Sequence, residues 1–139
     1  MSGETDLGTI LAGLTVSRRP GSYVFVPLPT GHIAGTDVPV VIREEEGTTV
    51  IVPTEVARER GWDVSLETAW LTIDVHTSLE AVGLTAAMSR ALADASIPCN
   101  VVAGFYHDHL FVPLDQVDTA LEAIAALGSD GGMGETQTR

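Results

Sequence analysis

Apolar and polar positions alternate along this chain with two periods, one near 3.6 residues and one of two, and the switches between them outline its elements. Leu7, Ile10, Leu11 and Leu14 recur at helical spacing after a polar start. Tyr23 to Val26 reads as a strand stopped by Pro27 and Pro29, with a loop through residues 30–35 after it. Strand-like runs at residues 38–43 and 48–52 flank Glu44-Glu45-Glu46-Gly47 and predict a β-hairpin with a solvated acidic tip. Thr54 is placed to cap a helix reaching about Arg60 and closed by Gly61, because a hydroxyl there accepts from otherwise orphaned amides.

From Trp70 to His76 the alternation is regular, with Leu71, Ile73 and Val75 on one face and Thr72, Asp74 and His76 on the other. Leu84, Met88, Ala91, Leu92 and Ala95 then form a narrow helical stripe suited to lying on a sheet, ended by Ile97-Pro98. Asn100 to Ala103, a turn at Gly104, and Leu110 to Val112 predict a second hairpin. Pro113 stops it, Asp115 is placed to cap, and Val117, Ala120, Leu121, Ile124 and Leu127 outline a last helix. Residues 128–139, rich in Gly, Ser and Thr, are expected to be disordered.

The two halves echo each other at an offset of 60 residues: Val41-Ile42 falls on Val101-Val102, and Val50 to Pro53 on Leu110 to Pro113. Each block reads hairpin, proline, helix, and Phe25-Val26-Pro27-Leu28 recurs as Phe111-Val112-Pro113-Leu114. The second half reads β-α-β-β-α and lacks a final strand. A strand lent by the first half would complete it, since an unpaired sheet edge invites association; intertwined modules or a dimer follow.

Composition narrows the chemistry. With 139 residues and 45% hydrophobic content the chain can bury a sizeable core. All 7 basic residues are arginines, against 19 Asp and Glu, so lysine Schiff-base and P-loop chemistry are excluded. The net charge of −12 repels phosphate backbones and anionic lipid, which argues against nucleic acid and membrane surfaces as partners. One cysteine, Cys99, excludes an intrachain disulfide and a thiolate-rich zinc site, and is expected to be a structural thiol. No basic n-region and no run of about 18 apolar residues occurs, so a cytoplasmic location is expected.

Two stretches carry a family resemblance: Thr77-Ser78-Leu79-Glu80-Ala81-Val82-Gly83-Leu84-Thr85-Ala86, and Ile97-Pro98-Cys99-Asn100-Val101-Val102-Ala103-Gly104-Phe105-Tyr106-His107-Asp108-His109-Leu110-Phe111-Val112-Pro113. They resemble the small bacterial tandem ACT-domain proteins and, more distantly, the ACT modules of aspartokinases and of the cytosolic arginine sensors of animals. The similarity is strong over residues 71–127 and weaker over the first sixty. It implies an α+β fold of tandem ferredoxin-like (βαββαβ) modules that share strands, a degenerate one at 1–64 and a second at 65–127. It also implies a non-enzymatic, allosteric regulator that binds an amino acid or related metabolite at a module or subunit interface, as a homodimer acting on a client protein the sequence does not name. No cofactor is implied.

In that family the ligand lies against the loop after the first strand, its carboxylate held by amides opening the next helix. By resemblance the binding residues are Ser78, Leu79, Glu80, Val82, Gly83 and Leu84. The chemistry suits the residues: a helix amino terminus offers unpaired N–H groups and partial positive charge, and Gly83 lets a ligand approach the backbone. Asp108 matches an acidic residue that the arginine sensors turn toward the cationic end of the ligand, and with Glu80 it would make an anionic wall. The alternative is that Asp108 is a turn residue bonding locally. Because His107 and His109 flank it here, specificity for arginine does not carry over.

Two other readings of these residues stand beside this one. His107 with His109, or Asp74 with His76, place ligating groups on one strand face, but no metal motif such as H-E-x-x-H occurs and no metal is expected. Asp74, His76 and Ser78 lack the geometry of a catalytic relay. A small metal- or histidine-dependent enzyme, and an interaction module with a vestigial pocket, are therefore the alternative functions.

Overall fold

The structure, a computed structural model, describes residues 13–31, 35, 38–74 and 83–133, with side chains to residue 128. Its elements are β1 (Thr15–Arg18), β2 (Tyr23–Leu28), β3 (Val40–Arg43), β4 (Thr48–Pro53), α1 (Thr54–Glu59), β5 (Glu67–Asp74), α2 (Leu84–Asp94), β6 (Asn100–Ala103), β7 (Asp108–Pro113), a 3-10 turn (Leu114–Gln116) and α3 (Val117–Met133). The chain divides into two compact units, residues 20–69 and residues 1–19 with 70–139. The predicted helix at Leu7 to Leu14 falls almost wholly outside the described residues.

In the unit formed by residues 20–69, strand order is β3-β4-β2 followed by the start of β5. β2 runs antiparallel to β4 from Tyr23↔Pro53 to Leu28↔Thr48, and Tyr23 and Val24 pair with Thr68 and Glu67. Pro27 does not stop β2, contrary to the sequence expectation. Its partner is Thr49 and its side chain is exposed, so a ring fits there while the strand continues to Leu28. The expected hairpin is present, Val40↔Ile51 to Arg43↔Thr48, closed by Glu44 N–H donating to Gly47 O at 2.9 Å. Val24, Val26, Leu28, Val38, Val50, Val52 and Ala57 form the core, with Val56, Trp62 and Val64 packed on it.

Thr54 does not cap α1. Pro53 takes the cap position and Thr54 is the first helical residue, buried, its hydroxyl 2.7 Å from Ser22 Oγ. Ser22 Oγ in turn donates to Glu67 Oε2 at 3.0 Å, so the hydroxyls serve a cross-strand network instead of the helix end. The other end follows expectation: Gly61, at φ +72°, bonds to Arg58 O, and Trp62 N–H reaches Ala57 O at 2.9 Å, the paired closure that a left-handed residue permits.

The other unit is built on Trp70 to Asp74 of β5, whose neighbours are β1 and β7, with β6 beyond β7. β1 pairs antiparallel with β5 from Thr15↔Asp74 to Arg18↔Leu71. The strand missing from the second half is therefore lent by the first, and it lies just after the predicted N-terminal helix. β6 and β7 form the second hairpin, Asn100↔Phe111 to Ala103↔Asp108. The ferredoxin-like arrangement is thus β5-α2-β6-β7-α3 completed by β1. Leu71, Ile73, Leu84, Met88, Leu92, Leu110, Phe111, Val112, Val117, Ala120 and Ile124 are all buried, matching the apolar stripes of the sequence.

α2 ends at Asp94, one residue short of the expected Ala95 and ahead of Ile97-Pro98, because Ser96 turns left-handed (φ 61°), its N–H bonding Ala93 O and that of Ile97 bonding Leu92 O. Asp115 caps nothing: it lies inside the 3-10 turn that Pro113 opens and that leads into α3. α3 itself runs to Met133, through residues expected to be disordered, since extending a formed helix adds a bond per residue without a new nucleus and no proline intervenes.

Candidate functional site

β5 ends at Asp74, the hairpin joining β6 to β7 returns at Asp108, and α2 starts at Leu84. Three segments distant in sequence thereby reach one end of the unit formed by residues 1–19 and 70–139. Gly83 sits at the cap of α2 with φ 95°, and among the described residues no side-chain hydrogen bond caps the helix. Its carbonyl accepts from Ala87 N–H at 2.8 Å, while Leu84 is buried. The conformation explains the glycine, since a residue with a Cβ is strained at that angle.

Thr85, in the first turn of α2, donates through Oγ1 to Asp108 Oδ2 at 3.4 Å. Asp108 is not a residue of the turn tip: it opens β7 opposite Ala103, and the turn is closed before it by Gly104 N–H to His107 O at 2.9 Å. Of the seven predicted site residues, Gly83, Leu84 and Asp108 are thus brought to the amino end of one helix. Ser78, Leu79, Glu80 and Val82 lie outside the described residues, as does His76.

Asp74 is engaged on both oxygens, Oδ1 by His107 Nδ1 at 3.3 Å and Oδ2 by Ser17 Oγ at 3.4 Å, while its carbonyl accepts from Thr15 Oγ1 at 3.1 Å. The rings of His107 and His109 stand 6.4 Å apart at 82°, and His109 faces β5. Its Nδ1 accepts from Trp70 Nε1–H at 3.0 Å and lies 3.1 Å from Thr72 Oγ1. Trp70 is 3% exposed, with the Arg19 guanidinium 3.6 Å over its ring and Phe111 tilted against it at 4.9 Å. Burial first, then the charges of Arg19 and His107, hold the His109 pKa below 6.5 against the pull of Asp108 and Asp74. Among the described residues no group of three or more His, Cys, Asp or Glu could hold a metal ion. Burial also pushes the Cys99 thiol up, which disfavours its thiolate.

Thr85, Thr72, Trp70 and Arg19 were not singled out from the sequence. The alternation of β5 does place Trp70, Thr72 and Asp74 on one face, but their partners 107, 109 and 111 follow only once β5 and β7 are known to be neighbours.

A family model described as an ACT domain matches residues 2–69, and a second of the same description matches residues 65–126. Among solved structures, a Vibrio cholerae protein of unknown function, described as a possible transport protein, is 35% identical, with 88% of this chain and 95% of that one covered at a TM-score of 0.78. The regulatory subunit of aspartate kinase from Thermus flavus shares the fold at 12% identity, 83% and 96% coverage, and a TM-score of 0.55. Aspartate kinase from Clostridium acetobutylicum does so at 9% identity, covering 83% of this chain and 34% of the enzyme, with a TM-score of 0.60. No curated protein matches the chain significantly.

Proposed function

Since this chain belongs to the ACT-domain family and carries two such domains in tandem, we propose that it is a regulatory protein without catalysis of its own, which binds an amino acid or related metabolite at the amino end of α2. The observation that carries this reading is the Thr85–Asp108 hydrogen bond, which sets a carboxylate beside a helix start whose cap residue, Gly83, has no side chain. Amides of the first turn suit the carboxylate of a zwitterion, and Asp108 suits its ammonium or a cationic side chain. Residues 78–80 and 82 supply the rest of the lining in this reading, and a second copy of the chain closes the site. The protein acts in the cytoplasm; among the described residues no helix is long and apolar enough to cross a membrane. Binding matters only if it favours one of two states, of the dimer or of the complex with a client protein, because equal affinity for both shifts nothing.

Thermal denaturation against each common amino acid tests the reading. A true ligand at about 100 times its dissociation constant adds about 2.7 kcal/mol and raises Tm. Asp108→Ala and Thr85→Ala should each reduce that rise, Asp108→Ala most for cationic ligands. If no amino acid raises Tm, the amino-acid reading fails and a vestigial pocket is favoured; a rise untouched by both variants moves the site away from α2.

A further inference from the structure

We propose that His109 is a proton-operated latch: in its neutral form it fastens the start of β7 to β5, and a proton on Nδ1 releases that fastening at the amino end of α2. Nδ1 is the acceptor of the Trp70 indole N–H at 3.0 Å. An indole nitrogen only donates, so a protonated Nδ1 would set two donors head to head. The Thr72 hydroxyl, 3.1 Å away, can rotate to accept, but the indole of a Trp70 that is 3% exposed, between Arg19 and Phe111, has no such freedom. Neutral His109 therefore carries its proton on Nε2, on the side of Gly104, where an added Cβ would come within 3.4 Å.

The charged groups around the ring come from every packed segment. Arg19, following β1, and His107, in the hairpin turn, oppose a proton; Asp74 of β5 and Asp108, the chain neighbour, favour it. Val102 of β6 lies opposite and is apolar. The connection to the helix is short: Asp108 immediately precedes His109 and accepts from Thr85, while His107, two residues back, holds Asp74 at the end of β5. Releasing His109 frees both neighbours at once, so acid weakens binding at this end of the unit. That last consequence rests on the proposed function; the latch itself does not.

The indole N–H resonance of Trp70, assigned with Trp70→Phe, reports the latch without any ligand. Between about pH 8 and about pH 5, where histidines titrate, it should shift with a midpoint below 6.5. His109→Asn, whose amide oxygen accepts in place of Nδ1 and does not titrate, should abolish the shift, and His107→Asn should keep it. An indole resonance insensitive to pH, or a titration that survives His109→Asn or vanishes in His107→Asn, overturns the latch. If His109→Asn does not fold, the imidazole nitrogen resonances of the unsubstituted protein decide the same point: Nδ1 must be the atom that gains the proton. With a ligand from the melting screen, affinity should fall about tenfold over the same acid range, an ordinary coupling, and not in His109→Asn. If no ligand emerges, the indole titration still decides, so the two proposals fail separately.

Discussion

Thr15 stands opposite Asp74 and donates its hydroxyl to the Asp74 carbonyl at 3.1 Å, joining residues 59 positions apart. Through this pair the segment Thr15–Arg18 supplies the strand that the second half of the sequence lacks. Arg19 N–H donates to Trp70 O at 3.0 Å, and in an antiparallel ladder such bonds recur at every second residue, which places the Ser17 N–H against Thr72.

Ser17→Pro should consequently destabilise the protein by about 2 kcal/mol, from a lost ladder bond and a carbonyl left without its donor. Urea denaturation followed by far-UV circular dichroism measures it. Unchanged stability would mean that β1 contributes little to the unit.

Gly47 approaches the chain more closely than any side chain permits. A Cβ there would lie 2.6 Å from the Leu28 carbonyl oxygen. Backbone cannot swing aside as a flexible side chain does, so Gly47→Ala should cost about 1–3 kcal/mol, read as a lowered midpoint in thermal denaturation.

Ser96 carries the left-handed turn that closes α2, at φ 61°. Glycine meets that angle without a Cβ penalty, so Ser96→Gly should stabilise the protein by about 1 kcal/mol, seen as a raised denaturation midpoint. Gly61→Ala, at φ +72° closing α1, should do the reverse by a similar amount.

Phe111 is fully buried at the centre of β7, against the Trp70 ring. Phe111→Ala should cost about 3–5 kcal/mol; Trp70 emission should shift to the red as water reaches the indole, a change best followed in a Trp62→Phe background.

Stability should depend on pH through His109. Its pKa is lowered on folding, so the unfolded chain binds more protons below 6.5 than the folded one does. The resulting stability is fully present above 6.5 and is lost as the pH falls from there through the folded-state pKa. Comparing urea midpoints with those of His109→Asn across this range isolates the contribution, and parallel pH profiles for the two proteins would refute it.

The sequence by itself determined what short-range periodicity controls. Leu71 and Ile73 alternate with Thr72 and Asp74, Leu84, Met88 and Leu92 line one helical face, and the two hairpins follow from their turns at Gly47 and Gly104, because each of these signals is local in sequence. The resemblance of residues 77–86 and 97–113 supplied the ACT fold on top of that. Local rules misled where a residue had a distant alternative: Thr54 turned to Ser22 instead of its own helix, and Pro27 stayed in a strand because its ring faces outward. Only the tertiary structure decided that Thr15–Arg18 pairs with β5 to complete the strand set of the second half, that Asp108 meets Thr85, and that His109 accepts from Trp70 across 39 residues. Strand order and register arise from the whole core closing at once, and no pattern confined to one segment encodes which edges will meet.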